Sequence, residues 1–165
     1  MATCTIPRPE HPNPQWERKN WTNLNGTWQF EIDHGDSGRE RGLVEKEKLD
    51  GEIIVPFSPE SLLSGVDRVV MPEDTLWYRR TFILPGQFRK ERVILHFGAV
   101  DQECRVLVNG ELVGEHKGGY LPFTFDVTDA LLPGQNLLEV VVEDTLSHDY
   151  PYGKQTKKRG GMWYT

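Results

Sequence analysis

The strongest structural signal in this chain is the segment Glu103-Cys104-Arg105-Val106-Leu107-Val108-Asn109-Gly110-Glu111-Leu112-Val113-Gly114. Before the Asn-Gly dipeptide, Cys104, Val106 and Val108 alternate with polar or outward positions. Asn-Gly between two such runs favours a type I′ turn, because both central residues of that turn need a positive φ. The sequence therefore predicts an antiparallel β-hairpin at this point, with a strand on each side of Asn109 and Gly110.

Alternation with a period of two recurs on both sides of this hairpin, between segments that contain Gly and Pro. The further predicted strands are Thr27–Asp33, Ile53–Val55, Leu76–Leu84, Arg92–Phe97, Pro122–Val127 and Asn136–Glu143. No amphipathic pattern of helical length separates them, which argues against a parallel α/β fold. About eight short strands predict an all-β fold, an antiparallel β-sandwich of the jelly-roll kind.

The connections between these strands carry weaker signals. Ser58–Leu63 is predicted to form a helical turn capped by Ser58, and Thr128–Leu132 a second turn. The charged segment His34–Gly51 is predicted to be a solvated loop. Glu139 and Glu143 alternate with apolar residues, which indicates an outward strand face.

Composition limits the class of protein. The 165 residues carry a formal charge of −6, and a chain of this length typically forms one domain. Net acidity argues against a nucleic-acid partner, and no apolar run is long enough to cross a membrane. We assign residues 1–20 to an extended N-terminal tail and residues 21–165 to the domain. We expect no cofactor and no metal, because the histidines are scattered without metal-ligand spacing.

The two cysteines and the N-terminus bear on location. Cys4 and Cys104 make a poor disulfide framework, so two free thiols in a reducing compartment are expected. Met1–Asn20 lacks the apolar core of a signal peptide. A cytoplasmic location is therefore expected, and a periplasmic or secreted one stays open if a signal has been removed.

The region after the last predicted strand differs in character from the rest. It is polar and aromatic, and such loops on a rigid sandwich tend to carry binding groups. Aromatic rings beside amide, carboxylate and ammonium groups suit a sugar. The candidate binding residues there are Asp144, Asp149, Tyr152, Lys154 and Gln155. The alternative interpretation is a linker whose tyrosines pack on the edge of the sandwich.

The usual nucleophile, phosphate-binding and metalloprotease motifs are absent from the chain, so motifs point to no catalytic residue. Acidic residues are plentiful, but a glycosidase needs a carboxylate pair at a set separation, and the sequence selects none.

An ordered series of motifs resembles the N-terminal domain of glycoside hydrolase family 2, from about residue 20 to the end of the chain. The motifs are Leu24–Phe30, Ile54–Phe57, Trp77–Phe82, Phe97–Asp101, Val106–Gly110, Gly114–Phe123, Phe125–Thr128, Asn136–Val140, Gly153–Gln155 and Trp163–Thr165. That family includes β-galactosidases, β-glucuronidases and β-mannosidases.

The resemblance implies a jelly-roll, galactose-binding-like domain that is followed in the parent by an immunoglobulin-like domain and a TIM barrel. It implies that both catalytic glutamates lie on that barrel, so the chain would end before them. The domain would lend loop residues to the rim of a β-glycoside pocket, contact the downstream domains and take part in a homo-oligomer. The rim candidates it adds are the Gly153-Lys154-Gln155 loop and Trp163, and Tyr152 stands where many relatives have Arg.

The resemblance also assigns fold-keeping turns. These are Asn109-Gly110, Gly118-Gly119 and Asp126, whose carboxylate is expected to cap the turn that follows. The leading hypothesis is therefore a non-catalytic domain of a β-galactosidase-like glycosidase.

Two alternatives remain open at this stage. A stand-alone carbohydrate-binding module would need an aromatic platform, for which Trp16 and Trp21 are candidates, whereas Trp77 and Tyr120 are expected in or near the core. An interaction domain would expose an apolar patch near Met162, Trp163 and Tyr164.

Overall fold

The fold is built from eight β-strands and short 3₁₀ turns. The computed structural model of the chain describes residues 6–38, 40–86, 88 and 92–145. The strands are β1 (Gly26–His34), β2 (Gly51–Val55), β3 (Asp74–Ile83), β4 (Ile94–Phe97), β5 (Glu103–Val108), β6 (Glu111–Lys117), β7 (Phe123–Asp126) and β8 (Gln135–Glu143). Every pair of neighbouring strands is antiparallel. The predicted all-β, antiparallel fold is confirmed.

The strands form two sheets. Six strands form the large sheet in the order β2-β1-β3-β8-β5-β6, and β4 pairs with β7 in a small sheet. Apolar side chains of the small sheet, such as Leu95 and Phe125, pack against the buried core of the large one. The result is a two-layer sandwich, and the jelly-roll connectivity stays a prediction. In the part of the chain described here, no helix is long and apolar enough to span a membrane.

The main core lies on the inner face of the large sheet. Alternate residues of its strands point inward and are almost fully buried, among them Phe30, Ile53, Val106 and Leu138. Trp28 belongs to this core as well, and its Nε1 donates a hydrogen bond to the carbonyl oxygen of Leu24 over 2.8 Å. The period-two patterns of the sequence therefore mark the inner face correctly.

The hairpin between β5 and β6 has the backbone of a type I′ turn. The φ angles are +52° at Asn109 and +82° at Gly110. The Asn109 side chain also ties the turn to its surroundings, because its amide donates to the carbonyl oxygen of Ala130 over 2.7 Å. Its Oδ1 accepts from the backbone N–H of Leu137 over 2.9 Å.

The connection between β1 and β2 differs from the prediction. Residues 35–38 and 40–50, which we call the strap, lie within His34–Gly51, which was predicted to form a solvated loop. Most of them are exposed as predicted, but the prediction missed two buried leucines. Leu43 and Leu49 of the strap are 1% and 2% exposed, and they pack on Trp77 and Val141 of the outer sheet face. The strap covers part of the face that the sequence pattern assigned to solvent.

Glu139 shows the same difference. It was predicted to lie on an outward strand face, and it does, but the strap leaves it only 3% exposed. Its carboxylate accepts hydrogen bonds from the Arg79 guanidinium at 2.6 and 2.9 Å. The alternation along β8 correctly predicted that Glu139 lies on the outer face of the large sheet, but the burial of Glu139 depends on the strap, which is distant in sequence.

The two predicted helical turns exist as short 3₁₀ turns. The first spans Leu62–Ser64, and its cap is Ser61 rather than Ser58, since the Ser61 hydroxyl accepts from the N–H of Leu63 over 3.2 Å. The second spans Thr128–Ala130. Both lie in connections between strands and leave the all-β class unchanged.

Cys104 lies on the inner face of β5 and is buried with a free thiol. Burial raises the pKa of this thiol to about 11, so it stays protonated and unreactive at neutral pH. Cys4 lies outside the described residues.

Candidate functional site: an acidic end of the sandwich

Antiparallel pairing brings the start of β5 and the end of β8 together. Glu103 and Glu143 are cross-strand partners, so Asp101 and Asp144 lie just beyond the paired ends at the same edge. The N–H of Gln102 donates to the carbonyl oxygen of Glu143 over 3.4 Å. Two acidic residues that are far apart in sequence therefore meet at one end of the large sheet.

The carboxylate of Asp101 is held against the backbone of Gly119. Gly119 is buried, and a Cβ at this position would collide with the Asp101 carboxylate. The neighbouring Gly118, with a φ of +123°, donates its N–H to the carbonyl oxygen of Gln102 over 2.7 Å. The loop after β6 thus forms one wall beside the Asp101 carboxylate, and only glycine permits this approach.

The charge environment of Asp101 is unfavourable for a carboxylate. Burial, followed by the negative charges of Asp144 and Glu60, raises its pKa to about 6. Within the described part of the chain it makes no hydrogen bond or ion pair that would offset these effects. Asp101 therefore exchanges a proton near neutral pH and can either donate or accept a hydrogen bond.

Glu60 brings the connection between β2 and β3 to the same place. Its negative charge acts on Asp101 and also on Tyr78, whose pKa is raised first by burial and then by Glu60. We call Glu60, Asp101 and Asp144 the acidic end. Among the described residues no cluster of His, Cys, Asp and Glu has the arrangement of a metal site. The acidic end suits hydroxyl groups, which donate hydrogen bonds to carboxylates.

Of the candidate binding residues predicted from the sequence, Asp144 lies at the acidic end. Asp149, Tyr152, Lys154, Gln155 and Trp163 lie outside the described residues, as do Met162 and Tyr164. Sequence reasoning missed Asp101 and Glu60. The signal that could have found Asp101 is its position immediately before β5, had the pairing of β5 with β8 been known.

The predicted fold-keeping turn at Asp126 closes the end of β7. Its Oδ1 accepts from the hydroxyl of Thr128 over 2.5 Å and from the N–H of Thr128 over 3.1 Å. An ion pair joins its Oδ2 to Arg92 over 2.8 Å. The Thr128 hydrogen bonds, followed by the bond from Arg92, lower the pKa of Asp126 to about 2. The residue supports the turn and lies apart from the acidic end in sequence.

The possible aromatic platforms are distributed differently from the prediction. Trp77 is 6% exposed, as expected for a core residue, whereas Tyr120 is 45% exposed and the prediction of a core position is wrong. Tyr120 follows Gly118 and Gly119 in the loop after β6, and this loop leaves its side chain exposed to solvent. Trp16 is 77% exposed, and the Trp21 ring lies 4.9 Å from that of His11.

A family model described as "Glycosyl hydrolases family 2, sugar binding domain" matches residues 63–153, which is more than half of the chain. The chain belongs to this family. The match includes Asp101 and Asp144 of the acidic end and the hairpin at Asn109 and Gly110. The resemblance drawn from the sequence motifs is confirmed.

Similar proteins are much longer than this chain. A beta-glucuronidase of Paenibacillus borealis is 31% identical over 128 residues, which are 75% of this chain and 21% of that protein. A beta-galactosidase of Thermoanaerobacter pseudethanolicus is 43% identical over 77 residues, 46% of this chain and 10% of that protein. A solved beta-glucuronidase of an uncultured Clostridium is 34% identical with a TM-score of 0.60, covering 73% of this chain and 21% of the other. The part of this chain that matches spans about a fifth of the length of these two glucuronidases and a tenth of the length of the galactosidase.

Proposed function

We propose that this chain is the N-terminal, non-catalytic domain of a retaining family 2 glycosidase that hydrolyses β-glycosides. The observation that carries the proposal is the family match over residues 63–153, in a chain that spans about a fifth of relatives named beta-glucuronidase. Hydrolysis with retention needs an acid/base and a nucleophilic carboxylate on either side of one bond. In our proposal, the downstream domains of the parent supply both.

The acidic end is the part of this domain that we propose for the rim of the substrate pocket. It combines Asp144, which the sequence pointed to, with Asp101 and Glu60, and its carboxylates can accept hydrogen bonds from sugar hydroxyls. Carboxylates disfavour a second carboxylate nearby. This favours a neutral galactoside over a glucuronide, so we propose a β-galactosidase-like parent.

The connection between β2 and β3 supports contacts with further domains or subunits. Next to Glu60 it exposes four large apolar side chains, Leu62 at 78%, Leu63 at 63%, Val69 at 58% and Met71 at 44%. Apolar groups grouped in this way typically mark interaction sites. We propose that downstream domains or a second subunit of the parent cover them. We also propose a cytoplasmic location, in keeping with the free thiol of Cys104.

The first test is hydrolysis of nitrophenyl β-galactoside and nitrophenyl β-glucuronide by the purified chain. We expect no turnover above buffer for either substrate, because the chain lacks the catalytic pair. Saturable turnover that co-purifies with the chain would contradict the proposal.

The second test uses the parent polypeptide that continues beyond Thr165. We expect the parent to prefer the galactoside. We also expect Asp101→Asn and Asp144→Asn each to reduce kcat/KM by about tenfold, which is roughly the effect of losing one hydrogen bond to a charged group. Asp129→Asn is the matched control, since Asp129 is exposed in the turn after β7. Preference for the glucuronide would refute the galactosidase assignment and leave the domain assignment intact.

A further inference from the structure

Strands β1 and β3 separate part-way along the large sheet. They are paired from His34 and Asp74 up to Gln29 and Arg79, and their pairing stops there. Beyond this point β1 continues to Gly26 beside β2, and β3 continues to Ile83 beside β8. The two strands therefore leave a gap between them, which we call the fork. It lies toward the end of β1 and β3 opposite to the acidic end.

Arg80 occupies the base of the fork. Its Nη1 donates to the carbonyl oxygen of Asn25 over 3.1 Å and to that of Thr27 over 3.4 Å. Its guanidinium carbon lies 5.9 Å from the centre of the Trp28 ring. Arg80 thus bonds the carbonyl group just before β1 and one within its first residues, in the region where β1 and β3 are no longer paired.

The fork contains a cavity of about 200 Å³ lined by polar groups. The lining residues are Thr27, Trp28, Gln29, Glu52, Arg79, Arg80 and Thr81. Thr27, Glu52 and Thr81 are exposed. The Oε1 of Gln29 accepts from the N–H of Leu49 over 3.0 Å, which fixes the amide and leaves its NH₂ group available. Hydroxyl, amide and carboxylate groups therefore converge on one opening.

The charges around the cavity select the type of ligand. Arg79 is neutralised by Glu139 and bonded to strap carbonyls, and Arg80 is bonded to the carbonyls of Asn25 and Thr27. Glu52 makes no ion pair or hydrogen bond within the described residues. An anion would meet this carboxylate, whereas a neutral hydroxyl can donate to it. The volume is below the roughly 300–1,000 Å³ of drug-sized sites, so the ligand is one ring in size.

We propose that the fork is a binding site for a neutral polyol of monosaccharide size. One hydroxyl of the ligand donates to the Glu52 carboxylate, and others exchange hydrogen bonds with Thr27, Thr81 and the Gln29 amide. The site is shallow and polar and would contact only one sugar ring, so we expect an affinity in the millimolar range.

The test is a titration of the ¹⁵N-labelled chain with methyl β-D-galactopyranoside, followed by amide NMR. We expect saturable shifts at residues 27–29, 52 and 79–81 with a dissociation constant in the millimolar range. Glu52→Gln and Thr27→Val should each weaken binding by about fivefold to tenfold. Both residues are exposed, so both variants are expected to fold. The matched controls are Glu115→Gln on β6 and Thr124→Val on β7, which are also exposed and should bind like the original chain.

Methyl β-D-glucuronide provides the charge comparison, and we expect it to bind at least several-fold more weakly than the galactoside. Shifts that never saturate, that fall elsewhere on the chain, or that survive both fork variants would overturn the proposal. Equal binding of the two sugars would overturn the selection for a neutral ligand. None of these results depends on hydrolysis by the parent, so failure here is distinguishable from failure of the proposed function.

Discussion

Arg79 of β3 and Glu139 of β8 are cross-strand partners, and their side chains form a buried ion pair with 2.6 Å between Nη2 and Oε1. The same Nη2 donates to the carbonyl oxygen of Leu43 over 2.7 Å, and Nη1 donates to that of Lys46. The pair therefore fastens the strap to the large sheet. Because both residues are almost fully buried, removal of one charge leaves the other without compensation.

The first prediction concerns this pair. We expect Glu139→Gln to lower the free energy of unfolding by about 3–5 kcal/mol, the usual cost of leaving one buried charge unpaired. The double variant Arg79→Met/Glu139→Leu should recover part of this loss because it buries no charge. Urea denaturation followed by tryptophan fluorescence measures both. The control is the exposed Glu115→Gln, and a Glu139→Gln variant as stable as that control would contradict the ion-pair account.

Sequence patterns predicted the sheet but not the strap, for a physical reason. Alternation along β8 places Leu138 and Val140 on one face and Glu139 on the other, and the structure agrees with that division. Whether the second face meets water depends on a segment that is distant in the chain, since Leu43 and Glu139 are 96 positions apart. The signal available in the sequence was the three apolar residues Leu43, Val44 and Leu49 within a segment rich in charged residues, of which the two leucines are buried.

The second prediction concerns the anchoring of the strap. Leu43 is a strap residue that is only 1% exposed. We therefore expect Leu43→Ala to lower the free energy of unfolding by about 2–4 kcal/mol, through lost apolar contacts and an unfilled cavity. The neighbouring Val44 is 40% exposed, so Val44→Ala should cost less than about 1 kcal/mol. Hydrogen exchange should show faster exchange in the strap for Leu43→Ala only. Equal destabilisation by the two substitutions would show that the strap is not anchored in this way.

The acidic end was only partly predictable from the sequence. Asp144 was identified because it follows a strand and begins a polar segment. Asp101 and Glu60 were missed because neither belongs to a motif that carries chemistry. Asp101 comes close to Asp144 only when β5 pairs with β8, and Glu60 reaches them from the connection between β2 and β3. The Asn-Gly turn predicted that β5 pairs with β6, but no local signal in the sequence predicts that β5 also pairs with β8.

The third prediction concerns the pH dependence of stability at the acidic end. The pKa of Asp101 is raised from 3.8 to about 6, so the folded state holds this proton more tightly than the unfolded state does. Ionisation of Asp101 therefore lowers the free energy of unfolding. This destabilisation is near zero below about pH 4 and complete above about pH 6. Asp101→Asn should stabilise the chain above pH 6 by about 1–2 kcal/mol, less than the roughly 1.4 kcal/mol per pKa unit alone would give, because the carboxylate is partly exposed and solvent screens its charge.

The measurement is thermal or urea unfolding of Asp101→Asn and of the original chain between pH 4 and pH 8. The difference in stability should grow from near zero at pH 4 to its maximum above pH 6. Asp129→Asn provides the control for the Asp-to-Asn substitution itself, because Asp129 is exposed and lies in the turn after β7. A flat difference for Asp101→Asn would exclude the raised pKa.

The fourth prediction concerns the contact between the two sheets at Gly114 of β6. A Cβ added there would collide with the ring of Phe125 from the small sheet, whereas a Cβ added at Gly98 would meet nothing within 4 Å. We expect Gly114→Ala to lower the free energy of unfolding by about 1–3 kcal/mol through overpacking. Gly98→Ala should be neutral or slightly stabilising, because alanine restricts the unfolded chain.

Phe125→Leu provides the decisive comparison, since a smaller side chain makes room for the added methyl group. The cost of Gly114→Ala should therefore be smaller in the Phe125→Leu background, with a coupling energy of roughly 1 kcal/mol in a double-mutant cycle. Unfolding in urea measures all four corners of this cycle. If the two substitutions are additive, then β6 and β7 do not pack at this contact, and the arrangement of the two sheets described above is wrong at that edge.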